Sequence, residues 1–94
     1  MAVKTLQITQ SGSAIQLSAT PIYARWVLFQ NAAGAIMTMG DATVTAAIGF
    51  VLAASTGQLL MTPLGEASLH YDLSQWWTIG TNTQKLTVVY DAIN

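Results

Sequence analysis

The sequence contains no cysteine, which excludes disulfides, a thiol nucleophile and any cysteine-based metal site, and leaves the redox compartment open. Ionic side chains are also scarce. They make up 7% of the chain, against about 25% in an ordinary soluble domain. The seven are Lys4, Arg25, Asp41, Glu66, Asp72, Lys85 and Asp91. With a formal net charge of −1 and no basic cluster, the chain lacks the clustered Lys and Arg that phosphate contacts require, so no nucleic-acid partner is expected. The longest apolar region, Ala42 to Ala54, is interrupted by Thr43, Thr45 and Gly49. It falls short of the roughly 20 residues of a membrane helix, and no membrane partner is expected. The start of the chain, with Lys4 ahead of alternating Leu6 and Ile8, lacks the apolar run of a signal peptide. The glycines fall singly in turns, and neither a dinucleotide fingerprint nor a phosphate loop can be written from them, so no cofactor is expected.

What remains is a chain of 94 residues, 52% hydrophobic, enough for one domain over residues 1–94 with its own core. So few ionic groups cannot keep a free surface soluble by themselves. Either Ser, Thr, Gln and Asn cover what water touches, or much of the surface is not free. The stretch Pro21 to Asn31 is the natural centre. Read as a strand, it places Tyr23, Arg25, Val27 and Phe29 on one face and Ile22, Ala24, Trp26 and Leu28 on the other. Both faces are largely apolar, which fits an interior strand covered on both sides.

Before it, residues 3 to 9 alternate as a half-buried strand, and residues 1–10 read as an N-terminal arm or edge strand. A turn at Ser11 to Ser13 leads to a short strand, Ala14 to Ser18. After Asn31 the turn at Ala32 to Gly34 predicts that Ala35 to Met39 pairs back as a hairpin. Ala42 to Ser55 suits a helix or two strands. Its Thr, Val, Ile and Phe content and the mid-run Gly49 favour two strands broken near that glycine. Gln58 to Met61 follows, then a short edge strand at Ser68 to Tyr71. Gln75 to Gly80 and Lys85 to Asp91 predict a final hairpin across Thr81 to Thr83, with Leu86, Val88 and Tyr90 on one face. Turn signals about every 8 to 12 residues point to an all-β fold: a single-domain antiparallel β-sandwich, jelly-roll-like or Ig-like, of about 7 to 9 short strands.

Catalytic constellations are thin. His70 and Asp72 share a strand face, but no Gly-x-Ser-x-Gly element supplies a nucleophile at a sharp turn, and a hydrolase trio is not expected. Glu66, His70 and Asp72 match no established metal spacing. The reading is non-enzymatic. Arg25 sits in the most apolar strand, where an unpaired cation would be costly. It either pairs with a carboxylate, Asp72 first and Asp41 or Asp91 behind it, or reaches water at the sheet edge. Trp76 and Trp77 are adjacent and point to opposite faces. One can fill the core, and the other is available to a subunit, a partner or a sugar ring.

The order "ARWVLFQN" at 24–31, "AIMTMGDATVTAAIGFVLA" at 35–53, "DLSQWWTIG" at 72–80 and "KLTVVYDA" at 85–92 resembles the small β-sandwich structural proteins of tailed bacteriophage virions. These are capsid decoration or cement proteins and head-fibre or tail-associated modules. The likeness spans about residues 13 to 92; the stretch Gly49 to Ala54 departs from it in lacking a proline and a second glycine. The resemblance implies a virion structural protein, assembled in the host cytoplasm. Such a protein stabilises the head through contacts with the major capsid protein or other virion proteins and through homo-oligomers, the trimer favoured. Trp77, Tyr71, Trp26 and the N-terminal arm, with Val3, Leu6 and Ile8, are the expected interface residues. Arg25 and Asp72 are the expected structural ion pair. The alternative is a glycan- or receptor-binding module of a phage fibre or tail, its exposed Trp and Tyr stacking on sugar beside Asn82, Gln84 or Asp72.

Overall fold

The computed structural model describes residues 2–63, 65 and 70–93. Among them the order is β1 (Ala2–Thr9), β2 (Ile15–Gln16), β3 (Tyr23–Asn31), β4 (Met37–Gly40), β5 (Phe50–Leu52), β6 (Gly57–Met61), β7 (Tyr71–Asp72), a 3-10 turn (Leu73–Gln75), β8 (Trp77–Gly80) and β9 (Lys85–Ala92). The fold is all-β, in two antiparallel sheets. The larger runs β1-β9-β3-β6, with β7 also on β3, and the smaller runs β2-β8-β4-β5. Val27, Phe29, Leu86, Val88 and Tyr90 of the larger sheet share one core with Met37, Met39 and Leu52 of the smaller, closed by Leu17 and Leu73. This is the layer arrangement of a β-sandwich.

The central strand is where it was expected, but its alternation is broken. Ala24 stands opposite Ala92 and Val27 opposite Tyr90, so Arg25 and Trp26 together face the single residue Asp91. Two residues against one is a β-bulge. It moves Ala24 onto the same inner face as Val27 and Phe29, all fully buried, and leaves Tyr23 exposed. Strict alternation would have driven Arg25 into the core beside Phe29, where desolvating a guanidinium is expensive. With the bulge, Arg25 and Trp26 are only half-buried.

Three expected pairings are corrected. Gly80 and Lys85 do not close a hairpin: β8 pairs with β2 and β4, while β9 pairs with β1 and β3. The turn between them carries the chain across the sandwich. Gln10 fixes that crossing, its N–H donating to the Gln84 carbonyl at 2.7 Å and its carbonyl accepting from Thr83 N–H at 2.9 Å. Likewise β4 does not fold back on β3. The chain changes sheet at Asn31, whose buried amide nitrogen approaches the carbonyls of Ala35 (2.8 Å), Leu52 (3.2 Å) and Ala53 (3.2 Å), while its Oδ1 accepts from Ala33 N–H at 3.0 Å. Finally, only the second half of the 42–55 region is a strand. The first half is a folded loop, begun where Asp41 Oδ1 accepts from the N–H (2.9 Å) and hydroxyl (2.6 Å) of Thr43. It is closed at Gly49, whose φ of +138° suits glycine and whose missing Cβ leaves room for the Met39 carbonyl.

The short elements also differ from expectation. Ile15 and Gln16 alone pair in the predicted 14–18 strand. Of the predicted strand at 68–71, Tyr71 opens β7 (Tyr71–Asp72), His70 is outside any strand, and Ser68 and Leu69 lie outside the described residues.

Candidate functional site

Register defines what the larger sheet shows on its outer side. Thr5, Val89, Leu28 and Leu60 lie opposite one another across β1, β9, β3 and β6, and Gln7, Thr87, Gln30 and Gln58 form the next row. No ionic side chain interrupts either row. On that face the ionic residues of β1, β9 and β6 are Lys85 and Asp91, at the two ends of β9. Val3 is 63% and Leu60 56% exposed. A second apolar region follows on the smaller sheet, where Ile48, Phe50 and Val51 at its β5 edge, with Ile36, are exposed. The sequence carries no ionic residue from Ala42 to Gly65. Exposed apolar side chains therefore lie on both sheets.

The expected interface residues divide. Val3 is on the outer face, but Leu6 and Ile8 turn inward and pack against the core. The N-terminal segment is an edge strand bound to β9 over its whole length, from Ala2 opposite Ala92 to Thr9 opposite Lys85. Trp26 is half-buried at the bulge. Trp77 is half-buried in β8 between Gln16 and Gly40. Its neighbour Trp76, also half-buried, is the one that packs against the core, tilted against Phe29 at a ring distance of 5.7 Å. Tyr71 is a structural residue: its ring packs on the core and its hydroxyl donates to the Thr62 carbonyl at 2.6 Å.

Asp72 acts as a cap. Its Oδ1 accepts from the N–H (2.9 Å) and hydroxyl (2.8 Å) of Ser74 and from Ile22 N–H at 3.3 Å. Burial pushes its pKa up, but the Ser74 and Ile22 hydrogen bonds and the nearby His70 outweigh it and hold the carboxyl below 3.8. Asp41 is also held below 3.8, through its Thr43 hydrogen bonds. Among the described residues no group of three metal-ligating side chains converges, and Glu66 lies outside them.

The polar residues expected beside a sugar, Asn82, Gln84 or Asp72, lie at two separate places. Asn82 and Gln84 lie in the turn before Lys85, whereas Asp72 pairs with Tyr23 near the Ala92 end of the same sheet.

Two features were not anticipated from the sequence. Gln10 is 1% exposed between the sheets, its Nε2 donating to Thr78 Oγ1 at 3.0 Å, while its Oε1 has no partner among the described residues. The second is a cleft of about 280 Å³ at the β1–β9–β3 end of the sandwich, lined by Lys4, Ile22, Tyr23, Tyr90 and Ile93 among others. Lys4 has the strand parity of Leu6 and Ile8 but lies at the open end of the ladder and is exposed. No family model, no curated protein and no solved structure matches the chain.

Proposed function

We propose that the protein is a virion structural component, a capsid decoration protein that stabilises a phage head. In this reading it works as a homo-oligomer, the trimer favoured, against the major capsid protein or other virion proteins. The observation that carries the reading is the outer face of the larger sheet: two cross-strand rows of Thr, Gln, Val and Leu with no ionic group in them. An apolar and neutral-polar face suits a long-lived protein interface, whose core is depleted in charge. The resemblance in strand order points the same way.

The test is native mass together with co-sedimentation on decoration-free capsids at micromolar concentration. A stable trimer that pellets with capsids is expected. A monomer that stays in the supernatant overturns the reading. Leu60→Lys places one charge at the β6 end of the Thr5, Val89, Leu28 and Leu60 row, at an already exposed position. It is expected to leave the fold intact by circular dichroism and to abolish pelleting.

A further inference from the structure

The larger sheet ends in two open edges. Among the described residues β1 pairs with β9 alone and β6 with β3 alone, so strands of eight and five residues each present a flank of unpaired backbone groups. Such a flank is a template for another strand, and proteins that stay apart guard it with proline, a bulge or charge. Neither strand holds a proline, both ladders run without a register shift, β6 holds no ionic residue, and the single charge of β1 is Lys4. The side chains beneath the edges are left half-covered as well. In the cross-strand row Leu6, Val88, Phe29 and Leu59, the two central residues are 0% exposed, whereas the two at the edges are only partly buried.

Strand direction and charge decide what fits these edges. Each neighbouring pair in the path β1-β9-β3-β6 is antiparallel, so β1 and β6 run in opposite directions at the two sides of the sheet. A second copy turned about an axis along the strands therefore brings its β1 antiparallel to β6, the more stable kind of pairing. A two-fold contact of β1 with its own copy would leave β6 open and draw two Lys4 ammoniums onto one seam. A two-fold contact of β6 would leave all of β1 open. The head-to-tail contact covers both edges at once and sets Lys4 against a strand with no ionic residue. It also prolongs the rows that end at Thr5 and Leu60 and at Gln7 and Gln58, so the neutral outer face continues from copy to copy.

We infer that copies of this chain join edge to edge, β1 of one onto β6 of the next, and that the succession of contacts closes into a ring. Closure leaves neither strand unpaired, whereas a head-to-tail contact that fails to close builds an open fibre. This contact rests on the homo-oligomer reading proposed above and adds which surfaces meet. In the trimer favoured there, every copy gives its β1 edge to one neighbour and receives the other neighbour on β6.

Because the chain has no cysteine of its own, introduced pairs read the contact directly. Gln58→Cys on β6 is combined in turn with Val3→Cys, Thr5→Cys and Gln7→Cys, which share the outer face of β1; all four positions are exposed. Within one copy β9 and β3 separate the two sites by three spacings of about 4.8 Å, beyond the roughly 4.4 to 6.8 Å between Cα atoms that a disulfide spans. Only copies in contact can be bridged. After mild oxidation at least one pairing is expected to run on non-reducing gels as dimer and closed trimer, while each single variant stays monomeric on the same gels. Native mass of the unaltered chain is measured alongside. A trimer that no pairing cross-links overturns the edge contact and leaves the homo-oligomer standing; a monomer overturns both. Cross-linking of Gln58→Cys alone, or of any β1 cysteine alone, reveals a two-fold contact and overturns the head-to-tail arrangement. An open-ended ladder of products overturns the ring.

Discussion

The two sheets of this protein are built on different terms. In the larger, β1, β3 and β9 run eight, nine and eight residues, and each inward position of β3 and β9 after the bulge is buried in turn. In the smaller, the strands have two, four, three and four residues, and side chains outside the ladders hold them in place. Asn31, Gln10, the Asp41 turn and Gly49 do there what strand length does in the larger sheet. Long ladders spread their stability over many backbone pairs, whereas short ones depend on a few side chains, each individually costly to lose.

The largest expected effect tests the shared core. Phe29→Ala empties the centre of the larger sheet and should cost about 3 to 5 kcal/mol in a urea unfolding series. A single transition is expected, because both sheets close the same core. Next is Gly49→Ala. Its Cβ would lie 2.5 Å from the Met39 carbonyl oxygen and 2.7 Å from Thr38 Cγ2, at a positive φ, so a loss greater than about 1 kcal/mol is expected. Amide exchange should accelerate in β4 and β5 while β3 and β9 stay protected, which would separate the two sheets within one molecule.

A smaller effect is expected at the contact between Gln10 and the second sheet. Thr78→Val removes the acceptor of the Gln10 amide and should cost about 1 kcal/mol. The double variant Gln10→Met, Thr78→Val should recover most of that, because it also removes the unpartnered Oε1. Additive losses would contradict this account of the pair.

The smallest effect is that of pH. The carboxyls of Asp41 and Asp72 are held below 3.8 in the folded chain. Their contribution is therefore present above that pH and is lost as pH falls through the folded values. A plot of Tm against pH should decline on the acid side of about 4, and Asp72→Asn should flatten part of that decline.

The larger sheet was also the more legible in the sequence. Leu86, Val88 and Tyr90 alternate over a long run, and period two is a strong signal there. The bulge was invisible because Ala24 and Trp26 are both apolar, so the pattern stays consistent with either phase. Only the cost of burying Arg25 hinted at it. The final pair of strands fits a hairpin and a sheet-crossing turn equally well, since local pattern fixes direction reversal but not the partner. That choice rests on Gln10, a residue distant in sequence. The division of Trp76 from Trp77 was foreseeable in kind, but not which of the two packs against Phe29. The cleft at Lys4 was hidden for the same reason as the crossing, because it needs β1, β3 and β9 side by side.

The antiparallel match of Ala2 with Ala92 brings the first residue of β1 and the last of β9 to one corner of the molecule. Tension applied there would peel β1 from β9 one rung at a time, the weakest way to load such a ladder. Load spread across the flat outer face of the sheet instead meets all the strands together. A protein mounted by its face, with any tag or fusion leaving from that corner, would resist strain far better than one tethered by both ends.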